Sequence, residues 1–442
     1  MSRITTMRGG RTWLTAAAAA ALLALAAPAA WAAGPGPTPS TGPTQTTGPT
    51  PSTGPTPSKG PLPSTVPIPS TVPLPSTVPL PSRGPAASTG PAASTGQAVS
   101  RGQAARTGQA AKKPPAPKWH IVKSVPAGAG AFTAVAATGK ATGWAFGGQF
   151  ASVTGPTAWQ LKGAKWTRQA FPGRPAETVV AAGASSPSDV WAFTQAGRGS
   201  RVLHYNGRAW SVAATFSAQI GGASVAGKND VWVFGADRFG TRALGVWHFN
   251  GHAWRLAGPG LQGGSALSPS DVWAFSGTKV DHFNGRRWAS TQLSSLLPAK
   301  MLLNGPAVTG IIALSAKNVY AIGNGNAEDE GGPTVVLHYN GAKWAKAAAG
   351  SFGYGTTATG SQQVSSDGGG GLWLPMPGVG GQKSYMVHYA AGKLTPATLP
   401  GSPRGTRVGS VARVPGTRDE LAGGDTYTAP GVNQVARILM YS

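Results

Sequence analysis

Carboxylates and imidazoles recur in this sequence at regular places. Asp189, Asp230 and Asp271 each precede Val-Trp, and His204, His248, His282, His338 and His388 each sit in an apolar segment further along. A carboxylate near an imidazole can serve general acid–base catalysis or hold a metal. Recurrence argues for a different role. A group repeated at a near-constant interval occupies equivalent scaffold positions far apart in space and cannot converge on one substrate. The aspartates are therefore read as turn residues that cap backbone N–H groups before a strand. The histidines are read as buried, hydrogen-bonded scaffold, and the recurring tryptophans as packing between sheets rather than sugar platforms. His120 and His252 fall outside the pattern and have no partner motif.

Other chemistries are excluded by what the chain lacks. It has 442 residues and no cysteine, which removes disulfides, thiolate metal sites and cysteine nucleophiles. No glycine-rich phosphate loop, zinc spacing or Gly-x-Ser-x-Gly elbow is present. The acidic run Glu328-Asp329-Glu330 lacks the spaced carboxylates of a calcium loop and reads as a solvated loop. The sequence thus offers no catalytic set, no metal site and no cofactor site.

The elements that carry these residues are repeats. The string SPSDVWAF stands at Ser186–Phe193 and again at Ser268–Phe275. Related triplets follow Asp230 and Asn318, and weaker copies lie at Gly143-Trp144, Leu372-Trp373 and Asp419-Glu420-Leu421-Ala422. Seven such anchors match the period of four-stranded propeller blades. After each strong anchor comes an aromatic strand ending in Asn-Gly, as in His204-Tyr205-Asn206-Gly207, followed by a Trp three residues on. Asn-Gly between alternating apolar residues predicts a type I′ hairpin turn. The last unit, from about Gly409, stops after three strands, whereas Lys118-Trp119-His120-Ile121-Val122 matches a fourth strand with no unit of its own. The predicted fold is all-β: a closed seven-bladed β-propeller of four-stranded antiparallel blades over 119–442, with the N-terminal strand completing the last blade.

These units resemble secreted bacterial β-propellers built on S-x-x-D-V-W and H-[YF]-N-G-x-x-W repeats, broadly similar to kelch and galactose-oxidase-type propellers. The resemblance implies the architecture and no particular activity. The copper radical site of galactose-oxidase-type enzymes needs a Cys joined to a Tyr, which a chain without cysteine cannot supply.

Residues 1–33 read as a secretory signal peptide: Arg3, Arg8 and Arg11, the apolar run from Trp13 to Ala27, then Ala30-Trp31-Ala32. Residues 34–118 are rich in Pro, Ser, Thr, Gly and Ala without an acid, and predict a disordered stalk of polyproline II character. No segment beyond the signal is long and apolar enough to span a membrane as a helix. The expected location is extracellular and cell-wall associated, as a monomer. The chain carries 37 Lys+Arg against 13 Asp+Glu, a net of +24. Such a charge favours anionic polymers of the envelope, while the absence of basic–aromatic interleaving argues against nucleic acid.

In an up-and-down blade the connections between strands 1–2 and 3–4 share one face, and those between strands 2–3 and between blades share the other. The first set here is short and repetitive; the second varies in length and content. Variable loops on a rigid frame carry recognition, so Phe150, Arg198, Arg238, Phe239, Arg242 and Tyr427 are the candidate ligand-binding residues. The function expected is an exported, non-catalytic propeller that binds a protein or glycan. The alternative is an envelope polysaccharide hydrolase or lyase whose site is built from single-copy loop residues.

Overall fold

The computed structural model describes residues 116–126, 130–148, 155–197, 199–236, 245–302, 308–325, 333–352, 364–376, 383–429 and 432–442; the side chains of 148, 236, 427–429 and 432–434 are outside that description. The expected signal peptide and all but the last three residues of the expected stalk fall outside it as well. Among the described residues, the strands form seven four-stranded antiparallel sheets. No helix in this set is long and apolar enough to cross a membrane.

Six blades follow the simple order 1-2-3-4 along the chain. Their inner strands are Ala131–Gly139, Thr178–Ser186, Gln219–Gly227, Gly263–Ser268, Val308–Ser315 and Ser365–Ser366, in blades 1 to 6. Blade 7 consists of Arg407–Arg413, Glu420–Ala429 and Val432–Tyr441, and its outer strand is the N-terminal segment Trp119–Val125. Trp119 pairs with Tyr441 and Val125 with Ala436, so the first strand of the domain closes the last sheet. The Lys118 N–H also donates to the Ser442 carbonyl at 3.2 Å. This closed seven-bladed ring agrees with the architecture expected from the sequence.

The Val-Trp pair explains how blades stack. Alternation along strand 2 sends adjacent side chains to opposite faces of the sheet. Val190 packs with Trp144 of the preceding blade, whereas Trp191 packs with Val231 of the following one. Val272 meets Trp232 and Val319 meets Trp273 in the same way. Trp144, Trp191 and Trp232 are almost fully buried. The Trp that opens strand 4 reaches back across the interface, Trp210 lying edge-on to Trp144 at 5.1 Å. At the closing seam Trp119 takes this part, edge-on to Trp373 at 5.4 Å. Trp159, in the strand Thr157–Lys162 of blade 1, lies under the Lys123 ammonium of the closing strand at 4.9 Å.

Inner strands are also tied to one another. The Ser224 hydroxyl accepts from the Ala266 N–H, Ser265 from Ala313, and Ser410 from Val135 across the seam, at 3.0 to 3.1 Å. Between blades 4 and 5 the link forms a 3-10 turn, Ser294–Leu296, and a helical turn, Ala299–Leu302. It seats Leu293, Leu297 and Met301 in the core there.

The hairpins differ from expectation in one respect. A type I′ turn needs positive φ at both central residues, but of Asn206 and Gly207 only the glycine has it, at 91°. Tyr205 pairs with Trp210, which makes 206–209 a four-residue loop. The Asn206 Oδ1 accepts from the N–H groups of Arg208 and Ala209. The same pattern recurs at Asn250, Asn284 and Asn340. An Asx-type cap, rather than a two-residue turn, selects Asn here.

Candidate functional site

The recurring aspartates and histidines meet in pairs. His204 Nε2 lies 2.7 Å from Asp189 Oδ1, and His248 and His282 lie 2.9 Å from Asp230 and Asp271. His388 is 2.8 Å from Asp367, and His338 is 2.9 Å from Asn318. The imidazoles stack on strand 2 aromatics: Trp191, Trp232 and Trp273 at 4.0 to 4.1 Å. The Trp232 indole N–H donates to the Asp230 carboxylate at 2.7 Å, and the Trp273 indole N–H to Asp271 at 3.0 Å. Asp189, Asp230 and Asp271 thus join strand 3 to strand 2 by side-chain bonds, a correction to the expected backbone caps. The spacing Asp, Trp two residues on and His in the next strand carried this signal. The imidazoles are half-buried rather than buried.

Electrostatics follow from this bonding. Burial alone would raise the Asp189 pKa, but hydrogen bonds from His204, Ser185 and Trp191 together hold it below the ordinary value. Burial likewise opposes ionisation of Asp367, and is outweighed by the Gly369 and Gly371 N–H groups and His388. His338, which faces the neutral Asn318, is lowered by burial. With its ring stacked and one nitrogen committed, each unit serves as a clamp within one blade. Blade 1 places Thr142 and Gln160 at the corresponding positions and blade 7 places Met440 at the histidine position.

Two ion pairs stiffen the opposite end of the ring. The Arg201 guanidinium grips both oxygens of buried Glu177, at 2.6 and 2.5 Å, and donates to the Pro172 carbonyl. It fixes the link into blade 2 against strand 3. Arg407 reaches Asp425 at 2.7 Å, and burial raises the pKa of that aspartate despite the pairing. Among the described residues no group of three His, Asp or Glu is arranged to hold a metal ion.

The unequal connections are unequal in a simple way. Strand ends leave eight residues between strands 2 and 3 in blades 1, 3, 5 and 6, and two in blades 2, 4 and 7. The segments 195–200 and 425–433, which belong to the second, variable set of connections, are largely strand: Asp189–Ala196, Gly199–Tyr205, Glu420–Ala429 and Val432–Tyr441. Phe150, Arg198, Arg238, Phe239 and Arg242 lie outside the described residues. Tyr427 is in strand 2 of blade 7, its backbone paired with Gln434, and its side chain is outside the description. The acidic run at 328–330 is outside it too.

The inner strands enclose a cavity of about 260 Å³ on the ring axis. Its wall is made of aliphatic residues such as Ala223, Val225 and Ile311 with Ser224, Ser265, Ser365 and Ser366, and Arg413 supplies its charge. Next to Ser365 lies a group that sequence reasoning missed. Glu420 is fully buried at 0% exposure, and neither carboxyl oxygen has a well-formed hydrogen bond. Its register partner Arg413 places it where Val231 pairs with Val225 and Val272 with Ala266. Burial raises its pKa to about 8, with Asp367 and Asp419 adding to the rise and Ser365 and Arg413 opposing it. The signal was present in the Asp-Glu-Leu-Ala copy of Asp-Val-Trp-Ala.

No protein-family profile matches this chain, and no curated protein matches its sequence. Solved propellers resemble it in outline. YCF48 from Cyanidioschyzon merolae superposes with a TM-score of 0.46 at 14% identity, over 73% of this chain and 98% of that one. U3-55K gives 0.49 at 11% identity, over 74% and 99%. The SapL1 lectin, solved in complex with alpha methyl fucoside, gives 0.39 at 11% identity, over 67% and 89%. Similarity at this level does not bear on what the chain binds.

Proposed function

We propose that this chain is an exported, non-catalytic propeller that binds a protein or glycan at the cell envelope through the face bearing its unequal loops. The observation that carries this reading is where the length variation falls. Four eight-residue connections stand on one end of the ring, and the turns at its other end are short; a rigid frame with variable loops is the usual platform for recognition. Four of the strand 3 histidines, His204, His248, His282 and His388, are each engaged by an aspartate of their own blade, which favours binding over turnover. Residues 1–33 would direct export, and 34–118 would act as a Pro/Ser/Thr spacer between the envelope and the ring.

A glycan array combined with an activity screen on wall polymers tests this. Binding without turnover, weakened at least tenfold by alanine at Arg238, Phe239 or Arg242, is the expected result. Turnover abolished by a single loop substitution would instead establish the hydrolase or lyase.

A further inference from the structure

The short-turn face is the more uniformly charged of the two. Its strand 1–2 turns carry Lys140, Lys228, Lys317, Arg413 and Arg418, all exposed. Its strand 3–4 loops add Arg208, Arg286, Arg287 and Lys343, also exposed. The tighter hairpins of blades 1 and 6 add Lys162, Lys165 and Lys393. The aspartates at this end are buried or half-buried, and four of them are bound to histidine. None of the described acids is exposed. The other acids of the chain, Asp237 and Glu328 to Glu330, belong in sequence to segments between strands 2 and 3.

These cations share a level. A Cβ on Gly207 would meet Ser188, on Gly251 Asn229, on Gly285 Ser270 and on Gly341 Lys317, so each strand 3–4 loop rests on the strand 1–2 turn of its own blade. The result is two concentric rings of charge, an inner one from the turns and an outer one from the loops. Among the described residues the exposed large apolar ones, Val212, Leu256 and Leu302, are on outer strands and a link rather than in these turns. Lys118, where the chain enters the ring, lies at the rim of this face beside Ser442. The preceding segment continues the charge with Arg101, Arg106, Lys112 and Lys113 and holds no acid.

We propose that the short-turn face is a peripheral docking surface for an anionic lipid bilayer. Cations distributed over a disc are all within a screening length of a charged plane at once, whereas a linear polymer crossing the disc meets only those along its track. Without apolar side chains to insert, the attachment is electrostatic and reversed by salt. Docking in this way turns the unequal loops outward. It does not depend on what those loops bind.

The test uses the full chain with vesicles of phosphatidylglycerol in phosphatidylcholine, against phosphatidylcholine alone, and lysine acetylation as the readout. Lys140, Lys228, Lys317 and Lys343 should lose reactivity roughly tenfold on the anionic vesicles and regain it at high salt. Lys279, Lys300 and Lys383, which lie elsewhere, should be unchanged. Equal protection of both sets, protection by neutral vesicles, or none at all would overturn the assignment. A chain with Lys140→Glu, Arg286→Glu, Arg287→Glu and Lys343→Glu should partition at least roughly a hundredfold more weakly. A chain with Lys279→Glu, Lys300→Glu, Lys383→Glu and Arg404→Glu, of equal net charge, should keep most of its binding. Equal loss in the two would show that net charge alone is sensed. Binding of linear polyphosphate with the same footprint, and none of vesicles, would replace the bilayer by a soluble polyanion.

Discussion

Val190, Val231, Val272 and Val319 occupy the position that Glu420 takes in blade 7, each fully buried. A carboxyl group there ionises in the unfolded chain near 4.5 but in the folded ring only at about 8. The sign follows from linkage: a raised folded pKa leaves stability intact below the unfolded value and removes it as pH rises toward the folded one. Loss is therefore expected between about 4.5 and 8, amounting to a few kcal/mol at most. Glu420→Gln should flatten that part of the stability–pH curve in denaturant melts, and Glu420→Val should in addition stabilise the ring at neutral pH. A curve unchanged by Glu420→Gln would show that the carboxyl does not titrate in this range. Asp230 makes the opposite case. Its removal in Asp230→Ala leaves His248 and the Trp232 indole N–H without their acceptor, at an expected cost of about 1–3 kcal/mol, measurable as a lower melting temperature. At this scale the residue types were readable and their partners were not. The carboxylate that bonds an imidazole and an indole looks, in sequence, the same as one that caps a turn.

Hairpins and closing strand were more legible, because period-two alternation and a missing fourth strand are properties of sequence alone. The seam makes a direct prediction. Trp119 is 6% exposed and contacts both Trp373 and Tyr441, so Trp119→Ala should cost about 3–5 kcal/mol. Deletion of 119–125 would bare the edge of blade 7 and should lower the melting temperature further; an unchanged melt would contradict closure. Gly207 combines a φ of 91° with a Cβ position 2.8 Å from Ser188, and Gly207→Ala should destabilise by about 1 kcal/mol or more. What sequence misjudged was the extent of strands. Gln195–Ser200 and 425–433 carry Gly, Asp and Asn and lack clean alternation, yet ladder pairing to neighbours extends the strands through most of both. Tertiary pairing overrides weak β propensity in such segments.

The ring as a whole separates two surfaces, one with long connections and one with basic short turns, and that division was foreseeable from up-and-down topology once seven units were counted. The charge contrast between the faces was not, since it depends on which acids are spent inside blades. The two ends of the domain meet, the Lys118 N–H on the Ser442 carbonyl, at a site that joins residues from opposite ends of the domain. Contacts so distant in sequence close late during folding, because a long loop must be ordered first. The meeting of the ends also means that the chain's starting point is arbitrary with respect to the architecture. A circular permutant that bridges 442 to 118 and opens the tight hairpin at Gly163 would keep every blade while making the former seam a local connection. The native ring would be the same object, but the last interface to form would move from blade 7 to blade 1.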